Sequence, residues 1–126
     1  MIRRFQPKTV PASKAPFSQV VMDRHYAFLS GLVAADFPGG CAVLGDVGAE
    51  TRAVMTAIRD ILAEIELGMD RIVRVDVHLA DLGDFDAMDR AYREFFDAGS
   101  EPARTTTEST RLFGNSRVEI TAQACL

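Results

Sequence analysis

The chain has 126 residues, of which 48% are hydrophobic and 25% are charged, with a formal net charge of −4. This length and balance fit one compact domain, residues 1–126, and exclude a disordered or fibrous protein. With no basic run beyond Arg3 and Arg4, no stretch of roughly 18 apolar residues and no secretory signal, we expect a cytoplasmic protein that binds neither nucleic acid nor membranes.

The first part of the chain predicts strands separated by loops. Ile2–Gln6 is a weak strand signal, and the apolar runs Ser18–Met22 and Tyr26–Ser30 predict a hairpin with a polar turn between them. The segments Pro7–Pro16 and Asp36–Gly45 are rich in proline or glycine and predict loops.

A long amphipathic helix is predicted over Ala49–Glu66. Asp46 stands where an N-terminal cap is expected, and Gly68 stands where the helix should stop. The apolar residues at helical spacing are Val54, Ile58, Ile61, Leu62 and Ile65.

The second part of the chain alternates strands and a helix. Ile72–Leu79 has strict apolar–polar alternation and predicts a strand. Asp84 is expected to open a second helix that Gly99 ends, with Phe85, Met88, Tyr92, Phe95 and Phe96 on one side. Two further strands are predicted at Ala103–Thr110, which is rich in threonine, and at Arg117–Cys125, which alternates again.

The predicted order is therefore β-β-β-α-β-α-β-β, an α+β domain with two helices packed on one face of a mixed sheet. The other sheet face carries polar side chains and could face water or a second subunit. These side chains are Asp76, His78, Glu119, Thr121 and Gln123.

Two charged residues on the predicted strands are candidates for chemistry. Arg104 follows a loop at the start of a strand, where its planar fork could bind a carboxylate, although exposed arginines are common and the residues alone favour an ordinary surface salt bridge. Glu119 lies inside a strand, where it could hold a water molecule or simply be solvated. The pair Ser30–Gly31 could approach a ligand closely or form a turn.

Other chemistries have little support in the sequence. His25 is expected in a hairpin turn, and His78 on the polar sheet face with a structural partner. Cys41 and Cys125 form neither a CxxC pair nor a zinc spacing, so we expect two reduced thiols and no metal site. No glycine-rich nucleotide-binding motif and no G-x-S-x-G motif is present.

The ordered set of short segments resembles the Rid family, also called the YjgF or endoribonuclease L-PSP family. The resemblance runs from about Ala15 to Ala124, and its order and spacing make it specific. The matching segments are Ala15-Pro16-Phe17-Ser18-Gln19, Phe28-Leu29-Ser30-Gly31, Asp46 with Thr51-Arg52, Val73 to Asp81, Asp84-Phe85, Tyr92-Arg93-Glu94-Phe95-Phe96, Pro102-Ala103-Arg104-Thr105 and Val118-Glu119-Ile120-Thr121-Ala122.

The resemblance implies a fold similar to chorismate mutase of the bacillus type and a homotrimer with a central barrel and clefts between subunits. It implies cofactor- and metal-independent hydrolysis of enamines and 2-imino acids, such as 2-aminoacrylate, to 2-keto acids and ammonia. Arg104 would bind the substrate carboxylate and Glu119 would help to hold the attacking water. The ligand-contacting residues would be Phe17, Ser30, Gly31 and Thr106.

Four positions depart from the family pattern. Phe17 stands where tyrosine is frequent, Leu32 where glutamine follows Ser-Gly, Asp89 where asparagine is common, and Thr106 where some members have cysteine. These departures keep the carboxylate clamp and leave the substrate preference open. Three hypotheses follow: a deaminase, which could serve a particular pathway; a non-catalytic ligand-binding or chaperone-like trimer; and a ribonuclease, which the acidic balance disfavours.

Overall fold

A computed structural model describes all 126 residues. The helices are α1 (Pro38–Cys41), α2 (Val47–Glu64) and α3 (Phe85–Arg93). The strands are β1 (Arg3–Phe5), β2 (Val20–Met22), β3 (Tyr26–Leu29), β4 (Leu32–Val33), β5 (Ile72–Leu79), β6 (Ala103–Glu108) and β7 (Val118–Cys125).

All seven strands belong to one mixed sheet. The order is β1-β2-β3-β7-β5-β6, and β4 also pairs with β7. The β5–β6 pair is parallel, whereas the other pairs are antiparallel. The crossover that a parallel pair requires is made through α3, which leaves β6 as an edge strand. The predicted α+β class and mixed sheet are confirmed.

The segment predicted as a loop over Asp36–Gly45 is only partly a loop, because it contains α1. Pro38 occupies the first turn of this helix, where its fixed φ is favourable and its missing N–H is not needed. A side chain at Gly40 would collide with the Ala34 backbone, so the glycine allows α1 to pack there. The two-residue strand β4 was also not predicted, since two residues are too few to show alternation.

Helix α2 has the predicted N-terminal cap, but it begins at Val47 rather than Ala49 and ends differently. The Asp46 carboxylate accepts a hydrogen bond from Ala49 N at 3.1 Å, so the predicted N-terminal cap is confirmed. Gly68 does not terminate the helix. Glu66 takes the left-handed conformation, with φ of 62°, and Leu67 N donates to Leu62 O at 2.9 Å, which is a Schellman-type ending.

Helix α3 is shorter than predicted. It ends at Arg93, and Gly99 adopts its positive φ of 87° in the following turn rather than at the helix end. Asp84 makes no side-chain cap bond at the start of α3. Its carboxylate instead forms an ion pair with Arg117 just before β7. Asp84 therefore opens the helix as predicted, while its carboxylate makes a tertiary contact.

The sheet has one buried face and one open face. Residues with even numbers on β7, Val118 to Ala124, are buried with α2 and α3, whereas the odd-numbered residues are partly exposed. This alternation determines on which side of the sheet each candidate residue lies. None of the helices combines the length and apolarity that crossing a membrane requires.

Candidate functional site

One candidate half of the site is a groove around Glu119 on the open side of the sheet. Glu119 pairs in register with His78 of β5 and with Val33 of β4. The groove has a volume of about 490 Å³, and Phe17, Gly31 and Glu119 all line it. Its apolar lining includes Val10, Val33 and Phe113. Phe17 is 51% exposed, so its ring forms an accessible wall of the groove.

Gly31 allows the Glu119 carboxylate to occupy this position. A Cβ atom at residue 31 would collide with Glu119 Oε2 and would lie 3.2 Å from Thr121 Oγ1. The Gly31 backbone conformation is otherwise ordinary, since its φ is not positive. The glycine therefore leaves room for the end of the Glu119 side chain, which would have to shift if residue 31 carried a Cβ atom.

Ser30 and Leu32, on either side of Gly31, have mainly structural contacts. Ser30 Oγ donates to Ser18 O at 2.7 Å, and its backbone N–H donates to Gln19 O at 2.9 Å. The Ser30 hydroxyl therefore retains only acceptor capacity for a ligand. The side chain of Leu32 is buried in the core, so its departure from the family pattern does not alter the surface of the groove.

The other candidate half surrounds Arg104 on the edge strand β6. Its Nη1 atom lies 2.8 Å from Asp89 Oδ1, and its side chain is only 21% exposed. The guanidinium carbon lies 4.7 Å from the centre of the Tyr92 ring and 5.5 Å from that of Phe85. The salt bridge considered for Arg104 is thus present, but the residue is not an ordinary surface arginine. Its position is restricted by three side chains of α3.

The neighbours of Arg104 have altered acid–base properties. Burial opposes ionisation of Asp89, but hydrogen bonds from Arg104 and Arg93 outweigh it and hold its pKa below the usual value. Burial raises the pKa of Tyr92 to about 12, against the opposing charge of Arg104. Tyr92 therefore remains a neutral phenol at physiological pH and cannot serve as a general base there.

Arg104 and Glu119 lie on opposite faces of the sheet in one chain. Arg104 pairs in register with Val75, whose side chain is buried beneath the helices. Glu119 pairs with His78, on the open face. Thr106 lies two residues along β6 from Arg104 and shares its face. One chain thus brings together Phe17, Gly31 and Glu119, and separately Arg104 and Thr106.

The histidines and cysteines have no catalytic arrangement. His78 Nδ1 is hydrogen-bonded to Thr107 Oγ1 at 2.7 Å, and His25 is exposed in its hairpin turn, as predicted for both. Cys41 and Cys125 are free cysteines, also as predicted. No group of three or more His, Cys, Asp or Glu side chains is placed to hold a metal ion.

Sequence reasoning did not identify the contacts that hold Arg104. Asp89, Tyr92 and Arg93 follow one another at helical spacing, which places them on one side of α3. The parallel strand β6 returns beneath this helix, so Arg104 meets them. The spacing was visible in the sequence, but the parallel pairing that joins it to Arg104 was not.

Comparisons with known proteins agree on one family. The family model described as Endoribonuclease L-PSP matches residues 7–126. A RutC family protein of Pyrococcus horikoshii is 32% identical, and the match covers 93% of this chain and 92% of that protein. The goat (Capra hircus) 2-iminobutanoate/2-iminopropanoate deaminase is 34% identical, with 90% of this chain and 82% of the relative covered.

A solved structure confirms the fold independently. The Rid-family protein YyfA of Yersinia pestis, a protein of unknown function, superposes with a TM-score of 0.90 over 100% of both chains. Its identity to this chain is 22%, so the match concerns the fold alone.

Proposed function

This chain belongs to the endoribonuclease L-PSP family, the YjgF or Rid family that its sequence resembles, and on that premise we propose that it hydrolyses enamines and 2-imino acids. The products are a 2-keto acid and ammonia. The proposal draws on the deaminase name carried by mammalian relatives at about one-third identity and on the two half-sites described above.

The reaction needs water and no oxidant or reductant. The water oxygen adds to C2 of the protonated imine while the C=N electron pair moves to nitrogen, and the water gives up one proton. The hydroxyl proton of the resulting carbinolamine is transferred to nitrogen, and ammonia leaves as the C2–N bond breaks and the C2–O double bond forms. The iminium carbon is already electrophilic, so positioning the acid and the water supplies most of the required catalysis.

The observation that carries the proposal is the restrained guanidinium of Arg104. It lines a cavity of about 380 Å³, and one of its nitrogens is anchored on Asp89 while Tyr92 and Phe85 flank it. A fork held in this way has little conformational freedom left to lose when it binds a carboxylate. We assign it the carboxylate of the substrate, with Thr106 beside it.

Glu119 is assigned the attacking water. Its carboxylate lies in a groove whose walls include the exposed ring of Phe17 and the backbone of Gly31. A carboxylate in that position can accept the proton that water loses as it adds to C2. Phe17 and Gly31 would contact the ligand, and Ser30 could contribute a hydroxyl acceptor.

Because the two halves lie on opposite sheet faces, a site that uses both requires two chains. We propose a homotrimer in which Arg104 of one chain meets Glu119 of its neighbour. On the open sheet face, the odd-numbered side chains of β7 are partly exposed, and the exposed ring of Phe28 lies among polar side chains. A face with this mixture of apolar and polar groups is suited to a subunit contact. Closed cyclic assemblies are the usual outcome of such a repeated contact.

Turnover is the first test. 2-Aminoacrylate generated in situ should be converted to pyruvate faster with the protein than in buffer. Arg104→Ala should lower kcat/KM by about a hundredfold or more, as expected when a charge-assisted carboxylate contact is lost. Arg90→Ala, on the same α3 helix and exposed, is the matched control. A folded protein without acceleration over buffer would refute deaminase activity.

Complementation tests whether the site is shared. Arg104→Ala and Glu119→Gln chains, each inactive alone, are co-refolded in equal amounts. Random assortment would give about a quarter of the clefts an intact Arg104 and an intact Glu119. Activity near this fraction of wild type is expected. Arg104→Ala co-refolded with the Arg104→Ala/Glu119→Gln double variant is the control, and it should recover no activity because no chain has an intact Arg104. No recovery of activity in the first mixture would mean that the site takes both residues from one chain.

A second candidate is a trimer that binds 2-keto acids without turning over imines. Phe17 favours it, because the ring supplies no hydroxyl to hold a substrate or a water molecule. Calorimetry with pyruvate would then detect binding that depends on Arg104, while the turnover assay would remain at the buffer rate.

A further inference from the structure

Asp89 is bound by two arginines at once. Its Oδ1 lies 2.8 Å from Arg104 Nη1, and its Oδ2 accepts a hydrogen bond from Arg93 Nη2 at 3.0 Å. Its side chain is 23% exposed, against 75% for Arg93. A ligand that reaches Arg104 therefore meets a guanidinium that already has a carboxylate partner.

The cavity around Arg104 has no excess of positive charge. Its lining includes two arginines, Arg93 and Arg104, and two acids, Asp89 and Glu101, together with the neutral Tyr92. Glu101 is fixed in place, since its Oε1 accepts a hydrogen bond from Gly99 N at 2.7 Å. An anion that enters the cavity is thus attracted by Arg104 and Arg93 and repelled by Asp89 and Glu101, with no net positive charge to hold it.

We infer that Asp89 is a specificity-determining residue, whose carboxylate positions the Arg104 fork and restricts it to ligands that carry a single carboxylate. The inference rests on the proposed function, because it assumes that Arg104 binds the substrate's acid group. It names the substrate class as 2-imino acids with an uncharged side chain.

The reason is electrostatic. One ligand carboxylate can hydrogen-bond to the part of the Arg104 fork that Asp89 leaves free, but a second would have to lie in the same cavity or in the neighbouring Glu119 groove. The remaining arginine of the cavity, Arg93, is already bonded to Asp89. A second carboxylate would therefore gain no free cation and would lie near Asp89, Glu101 or Glu119.

Two 2-keto acids of similar shape isolate this effect. 2-Oxoglutarate carries a second carboxylate, and 5-methyl-2-oxohexanoate replaces its two oxygens with methyl groups. Calorimetry would measure Kd for both with wild type, Asp89→Asn and Asp86→Asn. Asparagine keeps an oxygen acceptor for Arg104 without the charge, and Asp86 is an exposed carboxylate on the same helix that serves as control.

Wild type should bind the monocarboxylate at least about tenfold more tightly than the dicarboxylate. Removing one negative charge about 6 Å from a bound carboxylate should tighten binding of the monocarboxylate about tenfold at a partly exposed site. The affinity for the dicarboxylate should increase more than the affinity for the monocarboxylate. The Kd of the dicarboxylate divided by that of the monocarboxylate should therefore fall in Asp89→Asn and stay unchanged in Asp86→Asn. KM for a monocarboxylic imine should fall more than kcat changes.

A ratio of Kd values that is the same in wild type and Asp89→Asn would overturn the inference, whatever the turnover. Loss of thermal stability and kcat with that ratio unchanged would mark Asp89 as merely structural, and so would overturn it too. A shifted ratio without any imine turnover would refute only the deaminase proposal. Should Asp89→Asn not fold, Asp89→Ser removes the same negative charge with a smaller polar side chain, and an unchanged ratio there would equally refute the inference.

Discussion

The Arg104 cavity and the Glu119 groove differ in charge and in the character of their lining. The cavity is charged, and its guanidinium is held by a carboxylate and two aromatic rings of α3. The groove is mostly apolar and brings one carboxylate beside a glycine backbone. The first arrangement is suited to holding an anion still, and the second to placing water against an electrophile. The sheet between them separates the proposed binding residue from the proposed water-holding residue within one chain.

Among the substitutions that distinguish the two halves, Gly31→Ala should have the largest effect, and it should lower kcat far more than it weakens ligand binding. The added methyl group collides with Glu119 Oε2, so kcat should fall by about a hundredfold as the water is displaced. Binding of 2-ketobutyrate should weaken less, by about tenfold or less, because the Arg104 contact is kept although Gly31 also contacts the ligand. Steady-state kinetics and calorimetry measure the two effects.

Gly48→Ala is the matched control for this substitution. A methyl group there has no neighbour nearer than 3.6 Å, and residue 48 lies in α2, so wild-type kcat is expected. Equal losses of kcat and ligand affinity in Gly31→Ala would contradict the division into two halves.

Arg104→Lys should affect mainly the binding half. Lysine keeps the charge but loses the planar fork, so KM should rise by roughly thirtyfold with a smaller change in kcat. Arg90→Lys on α3 provides the control. A fall in kcat with KM unchanged would instead assign Arg104 to the chemical step.

The difference in stability between wild type and Asp89→Asn should depend on pH and should report on the binding half. The pKa of Asp89 is held below its usual 3.8, so the folded state keeps Asp89 ionised where the unfolded chain would take up a proton. This stabilisation is present above pH 3.8 and is lost as the pH falls through the lower pKa of the folded state.

Wild type should therefore exceed Asp89→Asn by about 1 kcal/mol in unfolding free energy near neutral pH. The difference should shrink as the pH falls below 3.8. Denaturant titrations at a series of pH values would show it, and a difference that grows on acidification would contradict the assignment.

Glu66→Gly changes a position outside both halves and should have the smallest effect. Glu66 has a φ of 62°, which glycine adopts without the steric penalty of a side chain. We expect the unfolding free energy to rise by about 0.5 kcal/mol, with kcat and KM unchanged. Altered kinetics would show that the α2 ending is coupled to one of the half-sites.

Periodicity predicted most of this fold because it reports which side of an element is buried. The strand Ile72–Leu79 was predicted with its exact bounds, and the predicted helix Ala49–Glu66 overlaps α2 closely. The sequence did not predict elements that are too short to show a periodic pattern, or contacts between residues that are far apart in the chain. Strand β4 has two residues, and the ion pair of Asp84 joins it to Arg117, 33 positions further on.

For the site, the sequence resemblance singled out the residues, whereas their spatial arrangement needed the structure. Phe17, Gly31 and Glu119 line one groove, as a shared ligand role requires, but Arg104 lies across the sheet. The Asp89–Arg104 ion pair was not predicted, although both residues had been noted separately.

The amino-acid sequence by itself determined the α+β class, the family and the buried side of each long element, because alternation and helical spacing are local properties of the chain. Only the tertiary structure decided that β6 runs parallel to β5, that Asp89 holds the Arg104 fork, and that Arg104 and Glu119 face opposite ways. Those results depend on register between distant strands, and no short stretch of sequence encodes that register.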